Sequence, residues 1–280
     1  TRTTRRPLPR SRKRAISGAA WRTGFIGSSM RIANREIGAG HPCFIAAEIS
    51  GNHNGSLDRA IALINAADEA GADAVKFQAF SMDEILALRG TGQAPPPWES
   101  MTLPELYAKV ITPREWFPTL FQEARSCGLI PFASVFGLES LAMLESLDCP
   151  AYKIAKPERN NRRLVGQTAA IGKPVLVSAE AWGDIYEPAD NVHAVFCPAG
   201  YPASRVKLGQ MWRTGGWFIG LSCHLPDPLA GVLAIAHGAH YLEFHLTLDD
   251  GVPTLDDCVN LTSSQFRQMV QLIRRAEMML

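Results

Sequence analysis

Residues 241–249 read YLEFHLTLD, an apolar run that ends by delivering a histidine into a polar loop. Strand residues alternate faces, so Glu243 and His245 share one face while Leu242, Phe244 and Leu246 share the other. Residues 217–224, WFIGLSCH, repeat the arrangement: Gly220, Ser222 and His224 fall on one face, Ile219 and Leu221 on the other. If the two strands are neighbours, two imidazoles meet at one edge of a sheet. A single histidine beside a core strand is more often a hydrogen-bonded structural residue than a ligand, so the pair takes its meaning from the rest of the chain.

Working outward, the same unit recurs. An apolar strand at 44–49 leads into a polar loop, SGNHNG at 50–55, and then a helix with Leu57, Ile61, Ile64 and Ala67 at helical spacing, Ser56 as N-cap and Gly71 as stop. Further strands are predicted at 74–78, 130–136, 151–155, 174–178, 194–197, 218–222 and 242–246, and helices at about 114–127, 138–147, 161–171, 203–213, 228–237 and 263–279. The crossover near 184–191 is short and poorly patterned. A Pro-rich insert at 89–104 reads as a surface excursion or part of a lid, and residues 30–43 as a short hairpin closed at Gly38–Gly40. Strands apolar on both faces alternating with helices imply a parallel sheet covered by helices, and eight of them favour a (β/α)8 TIM barrel with a short N-terminal hairpin. An open doubly wound sheet is the alternative.

The chain has 280 residues, 46% hydrophobic and 20% charged, with a net charge of +1. That is the composition of a soluble globular protein. Residues 1–30 hold eight Lys or Arg and no acid, so the rest carries 20 basic and 27 acidic residues, a balance of −7. A mildly acidic body argues against nucleic acid as a partner. No apolar run reaches the ~20 residues that span a bilayer, which argues against a membrane. The six cysteines lack CxxC spacing and suit free thiols in a reducing, cytoplasmic compartment. Residues 1–29 form a basic segment, read as sequence upstream of a start at Met30, with an organelle leader or a disordered arm as alternatives. The patterned domain is 30–280.

In a (β/α)8 barrel the carboxyl ends of the strands face one mouth. Here they supply Glu48; Lys76 and Gln78; Lys153, with Lys156 and Glu158 just beyond; Ser178 and Glu180; Tyr201; Ser222 and His224; and Glu243 and His245. Lysines, hydroxyls, carboxylates and two histidines at one mouth suit a phosphorylated anion and a divalent metal. The plainer reading makes Glu243 and Lys76 an ion pair inside the barrel, yet so many polar groups are a costly way to fill a core.

Several segments are specific enough to compare with a known family. AEISGNHNG (47–55), AGADAVKFQ (70–78), YKIAKPE (152–158), KPVLVS (173–178), CPAGYP (197–202), GLSCH (220–224) and EFHLTLD (243–249) together resemble, in order, the sialic acid synthase family, which includes N-acetylneuraminate, pseudaminate and legionaminate synthases. The resemblance covers residues 30–280. It implies condensation of phosphoenolpyruvate with an aldehyde sugar, an N-acetylated amino sugar or related aldose, to a 2-keto-3-deoxy sugar acid with release of phosphate. It also implies His224 and His245 as ligands of a divalent cation, manganese or magnesium, that polarises the aldehyde. Lys76, Lys153, Lys156, Ser178 and Ser222 become phosphoenolpyruvate-binding residues, Glu48 and Glu158 catalytic carboxylates, and Gln78, Tyr201 and Asp256 acceptor-side residues. A homodimer is a further expectation.

The departures from the family's pattern are as informative. Lys156 stands where a serine is usual and is expected to add positive charge beside the phosphate site. Cys223 stands where an aspartate usually precedes the first metal histidine, Ser178-Ala179-Glu180 replaces serine-threonine-glycine, Ala199 replaces a polar residue, and Phe244 a lysine. The family's antifreeze-like C-terminal domain has no counterpart in these residues. Two other readings stay open: a pyruvate-dependent barrel aldolase with a Schiff base on Lys153 or Lys76, and a catalytically silent barrel that binds a ligand or partner protein.

Overall fold

The structure, a computed structural model, describes residues 29–181, 184–185, 189–204, 206–209 and 218–280. The basic segment at 1–29 lies outside them except for Ser29; of the helix expected at about 203–213, residues 203–204 and 206–209 are described and are not helical, and the rest lies outside. Eight parallel strands form the centre: β3 (Phe44–Glu48), β4 (Ala74–Ala79), β5 (Ile130–Val135), β6 (Tyr152–Ile154), β7 (Val175–Ala179), β8 (Val192–Phe196), β9 (Gly220–Cys223) and β10 (Tyr241–Thr247). They pair in chain order, and β10 pairs with both β9 and β3, which closes the barrel. The open-sheet alternative is thereby set aside. Closure brings β9 and β10 together with Tyr241 level with Gly220, and a Cβ at Gly220 would overlap the Tyr241 carbonyl.

Helices cover the barrel because those outside the insert turn an apolar stripe onto strands buried on both faces. They are α1 (Leu57–Ala70), α2 (Met82–Arg89), α3 (Leu103–Val110), α4 (Phe117–Ser126), α5 (Leu138–Ser146), α6 (Arg162–Ala170), α7 (Leu229–Ala236) and α8 (Ser263–Glu277). In α1 the expected signals act as read: Ser56 Oγ accepts from the Arg59 N–H, and Gly71 ends the helix at φ 81°. No described helix is long and apolar enough to cross a membrane.

Two expectations need correction. The hairpin is β1 (Met30–Ile32) and β2 (Arg35–Ile37), and its turn lies at Ala33 and Asn34 rather than at Gly38–Gly40, which instead link it to β3. It packs Ile32 and Ile37 into the core, and Arg35 pairs with Asp73 at 2.6 Å. The insert is not a bare excursion either. It is part of a longer insert, residues 80–113, that holds α2 and α3, each opened by a capping box, Ser81 with Glu84 and Thr102 with Glu105. Phe80, Ile85, Val110 and Phe136 give it a small apolar core of its own.

Candidate active site

Strand register sets the floor of the mouth. His245 lies level with Glu48, Glu48 with Lys76, Gln78 with Ser134, and Ser134 with Lys153, so side chains of like height meet across neighbouring strands. Ser222 lies level with Glu243 on the closing pair. Every residue that the sequence placed at the mouth, except Glu158 and Glu180, lines one cavity of about 530 Å³.

One end of that cavity is a buried lysine–serine cluster. Lys153 Nζ donates to Ser178 Oγ at 2.5 Å and Lys76 Nζ to Ser134 Oγ at 3.0 Å. Glu243 lies between the two ammonium groups, 3.6 Å from Lys76 and 3.7 Å from Lys153, and accepts from Ser222 at 2.9 Å and Tyr241 at 2.7 Å. The plainer reading of Glu243 as a barrel ion pair therefore describes its geometry. Burial alone would raise its carboxyl, but Lys153 and Lys76 hold it well below the usual carboxylate range. Burial lowers Lys153, with Glu243 opposing, whereas Lys76 ends above its ordinary value because Glu243 and Glu48 together outweigh its burial.

The other end carries the imidazoles. The rings of His224 and His245 are 5.4 Å apart, and Tyr201 lies beside both, at 4.7 and 5.9 Å. Tyr201 donates to Asp256 Oδ1 at 2.5 Å, and Asp256 Oδ2 is 3.6 Å from His245 Nδ1. That distance is too long for a hydrogen bond, and His245 Nδ1 is a buried polar atom without a hydrogen-bond partner. Burial, and then His245, push His224 down to about 3, so it is the neutral imidazole that ligates metals. Glu48 stands between the two ends: it pairs with Lys76 and accepts from Gln78 at 3.1 Å, and Gln78 also donates to Ser50 Oγ at 2.9 Å.

The chain's own departures fall into place here. Lys156 does not stand free beside the lysine–serine end; it pairs at the rim with Glu180, the second unusual residue. Two departures thus neutralise each other. Cys223 is level with Phe244 and points away from the cavity, its thiol directed at the Leu225 carbonyl. Glu158, like Glu180, is off the cavity wall. It is 3% exposed and bound by Arg89, whose Nη2 lies 2.6 Å from Glu158 Oε1.

Sequence reasoning missed Ser134, Arg89 and Trp98, which also line the cavity. Ser134 was readable, since it breaks the apolar run of the third strand on the inward face. Trp98 rests on Tyr201 at 4.9 Å and donates its indole N–H to the Leu255 carbonyl at 2.9 Å. The SGNHNG loop proves structural: Asn52 bonds the Leu246 carbonyl and Asn260, and Asn54 the Pro253 carbonyl, which ties the first strand's loop to the last strand's.

A family model described as the NeuB family matches residues 63–280. A pseudaminic acid synthase from Campylobacter jejuni is 34% identical over 260 residues, covering 84% of this chain and 74% of the relative. An N,N'-diacetyllegionaminic acid synthase from Legionella pneumophila is 31% identical and covers 91% and 78%. The crystal structure of the spore coat polysaccharide biosynthesis protein SpsE from Bacillus subtilis superposes with a TM-score of 0.73 at 31% identity, covering 90% of this chain and 72% of that one.

Proposed function

The chain belongs to the NeuB family, that of the sialic acid synthases, and from that premise we propose that it condenses phosphoenolpyruvate with the aldehyde form of an amino sugar or related aldose. The product is a 2-keto-3-deoxy sugar acid, and phosphate leaves. The observation that carries this reading is the opposition, inside one cavity, of a lysine–serine end to an imidazole–carboxylate end.

Each end suits one substrate. Lys76, Lys153, Ser178 and Ser222 present charge-assisted donors to the phosphate and carboxylate of phosphoenolpyruvate. Tyr201, Asp256 and Gln78 face the sugar with groups that both donate and accept. As C3 of phosphoenolpyruvate bonds to the aldehyde carbon and water adds at C2, Glu48, between the ends, takes one water proton and returns it to the phosphate oxygen as the C2–O bond breaks; the other water proton leaves the C2 hydroxyl, which becomes the ketone, and ends on the former aldehyde oxygen.

His224 and His245 fit a divalent cation: two imidazoles on one wall, the first neutral, the second with a buried ring nitrogen left unpartnered. Among the described residues no group of three or more His, Cys, Asp or Glu is arranged to hold a metal alone. The remaining ligands would be water and substrate, as in an open catalytic site. When bound, manganese or magnesium supplies the Lewis acidity that polarises the aldehyde. All six cysteines are free thiols, which supports a reducing, cytoplasmic setting.

The test is phosphate release from phosphoenolpyruvate with manganese and a panel of N-acetylated hexosamines and plain aldoses. Loss of either histidine in His224→Ala or His245→Ala is expected to lower turnover by on the order of 10³-fold, since metal polarisation is worth several kcal/mol. Metal-independent turnover, or full activity in both variants, would overturn the mechanism. One observation favours a second reading: burial lowers Lys153 toward the neutral amine that a Schiff base needs. Borohydride with pyruvate would trap it. No adduct is expected, because Ser178 and Glu243 hold the ammonium form.

A further inference from the structure

Arg89 ends α2, on the insert between the second and third barrel strands, and lines the cavity together with Trp98, Pro95 and Pro96 of the same insert. Glu158, from the turn after β6, lies behind it, buried and off the cavity wall. The 2.6 Å contact between Arg89 Nη2 and Glu158 Oε1 is a charge-assisted bond that anchors the guanidinium at one nitrogen. A guanidinium has five N–H donors. Glu158 Oε1 meets Nη2, while Nε, though buried, meets no hydrogen-bond acceptor.

We propose that Arg89 is a binding residue for a neutral oxygen of the sugar acceptor, a hydroxyl or an acyl carbonyl, and that Glu158 is the positioning residue that holds it. The inference rests on the condensation described above, and it reverses the roles expected from the sequence, where Glu158 was a catalytic carboxylate. Geometry motivates the reversal: the arginine reaches the cavity and the carboxylate does not. Position selects the ligand. Arg89 shares its insert with Trp98, which rests on Tyr201 at 4.9 Å, whereas Lys76 and Lys153 lie at the far end with Ser134 and Ser178. The insert therefore faces the acceptor side, where a sugar offers neutral oxygens. The apolar faces of Trp98, Pro95 and Pro96 beside it complement the C–H face of a sugar.

The placement is firm because α2 is latched to the barrel. Glu84 accepts the backbone N–H groups of Glu139 and Ser140, both at 3.0 Å, at the start of α5. Arg89 is thus carried on a fixed arm, with no strand periodicity to announce it.

Steady-state kinetics on Arg89→Lys, Arg89→Gln and Glu158→Gln, varying each substrate in turn, test the proposal. Arg89→Gln is expected to raise the acceptor KM about tenfold or more, the loss of one charge-assisted hydrogen bond, with KM for phosphoenolpyruvate and kcat much less affected. Glu158→Gln should raise the acceptor KM in the same direction and leave the shape of the kcat–pH profile intact. Arg89→Lys should recover part of the loss. A collapse of kcat, or disappearance of one limb of the pH profile, in Glu158→Gln would make Glu158 the proton-transfer group and overturn the assignment. So would an unchanged acceptor KM in Arg89→Gln, or a rise confined to phosphoenolpyruvate.

Arg89→Gln strands a buried carboxylate and could unfold the chain. The double variant Arg89→Gln/Glu158→Gln removes both charges and should show the same acceptor defect. If the wild-type protein releases no phosphate on any aldose, the condensation reading fails by itself. Calorimetric titration with N-acetylhexosamines then decides the inference: heat lost in the double variant supports it, while heat unchanged, or none from the wild type, overturns it.

Discussion

The cavity is built in two ways. Its floor is made of strand ends whose polar groups are partnered across neighbouring strands: Lys76 with Ser134, Lys153 with Ser178, Ser222 with Glu243. Its outer wall comes from the insert, residues 80–113, where each side chain reaches a different barrel loop. Glu84 meets the start of α5, Arg89 the turn after β6, and Trp98 the loop after β10. The floor cannot shift without opening a ladder of backbone hydrogen bonds, whereas the wall hangs on a few side-chain contacts that can be lost singly. The contrast separates two kinds of support: the lysine, serine and histidine side chains stand on strand ends, whereas Arg89 and Trp98 stand on a segment that can vary without unmaking the barrel.

The strongest way to break the floor is through its central carboxylate. Glu243→Ala leaves Lys76 and Lys153 buried around a missing charge, with the Ser222 and Tyr241 hydroxyls unpaired. It is expected to cost about 3–5 kcal/mol, since removing one partner of a buried pair strands the other. Urea unfolding should show the whole barrel losing stability in one transition. A local change confined to the mouth would mean that the floor is less cooperative than its ladder suggests.

The border between floor and wall is titratable. His53 follows the first barrel strand, accepts the Gly55 N–H on Nδ1 and meets Thr112 Oγ1 at 3.2 Å with Nε2, so it joins the floor's first loop to the end of the insert. Burial pushes its imidazole down to about 4. The unfolded value is about 6.5, so between the two the unfolded chain binds more protons and stability falls as pH drops. The contribution is fully present above about 6.5 and lost below 4, up to about 3 kcal/mol from a shift of this size. His193, also pushed to about 4 by burial, adds a loss in the same window. The diagnostic quantity is therefore the difference between the wild type and His53→Asn, measured by urea unfolding at pH 7 and pH 4.5. Wild type should lose more than the variant; equal losses would show that His53 does not couple loop and insert.

The same division explains what could be read from the sequence. All eight strands were legible because burial on both faces writes an unbroken apolar run, and Glu48, Lys76, Lys153, Ser178, Ser222 and His245 stood out as polar residues ending such runs. Ser134 was overlooked only because a serine is a weaker interruption than a lysine. Arg89 and Trp98 were hidden for a different reason: they sit on a short helix and an irregular loop, where nothing periodic says which way a side chain points. The insert still carried a local signal, SMDE at 81–84 and TLPE at 102–105, two capping boxes that announce helix starts without saying what they cover. Glu158 lies behind the cavity wall for a local reason. It follows the strand closely, but a 3-10 turn at Lys156–Glu158 rotates it behind the wall, where Arg89 meets it.

The mildest perturbation tests the latch. Glu84 caps its own helix by accepting the Ser81 N–H at 3.0 Å and caps α5 through the N–H groups of Glu139 and Ser140, so one carboxylate serves two helix starts. Gly137 is glycine because a Cβ there would overlap the Glu84 carboxylate. Either Glu84→Ala or Gly137→Ala should therefore loosen α2 from the barrel, at about 1–2 kcal/mol for a lost cap. Global unfolding should shift only slightly if the insert opens independently, whereas limited proteolysis within residues 90–101 should quicken in both variants. The acceptor KM should rise with it, because Arg89 and Trp98 ride on the same arm, and KM for phosphoenolpyruvate should not. Proteolysis unchanged while the whole barrel loses stability would show that wall and floor fold as one unit, and the division of labour between them would then rest on chemistry alone.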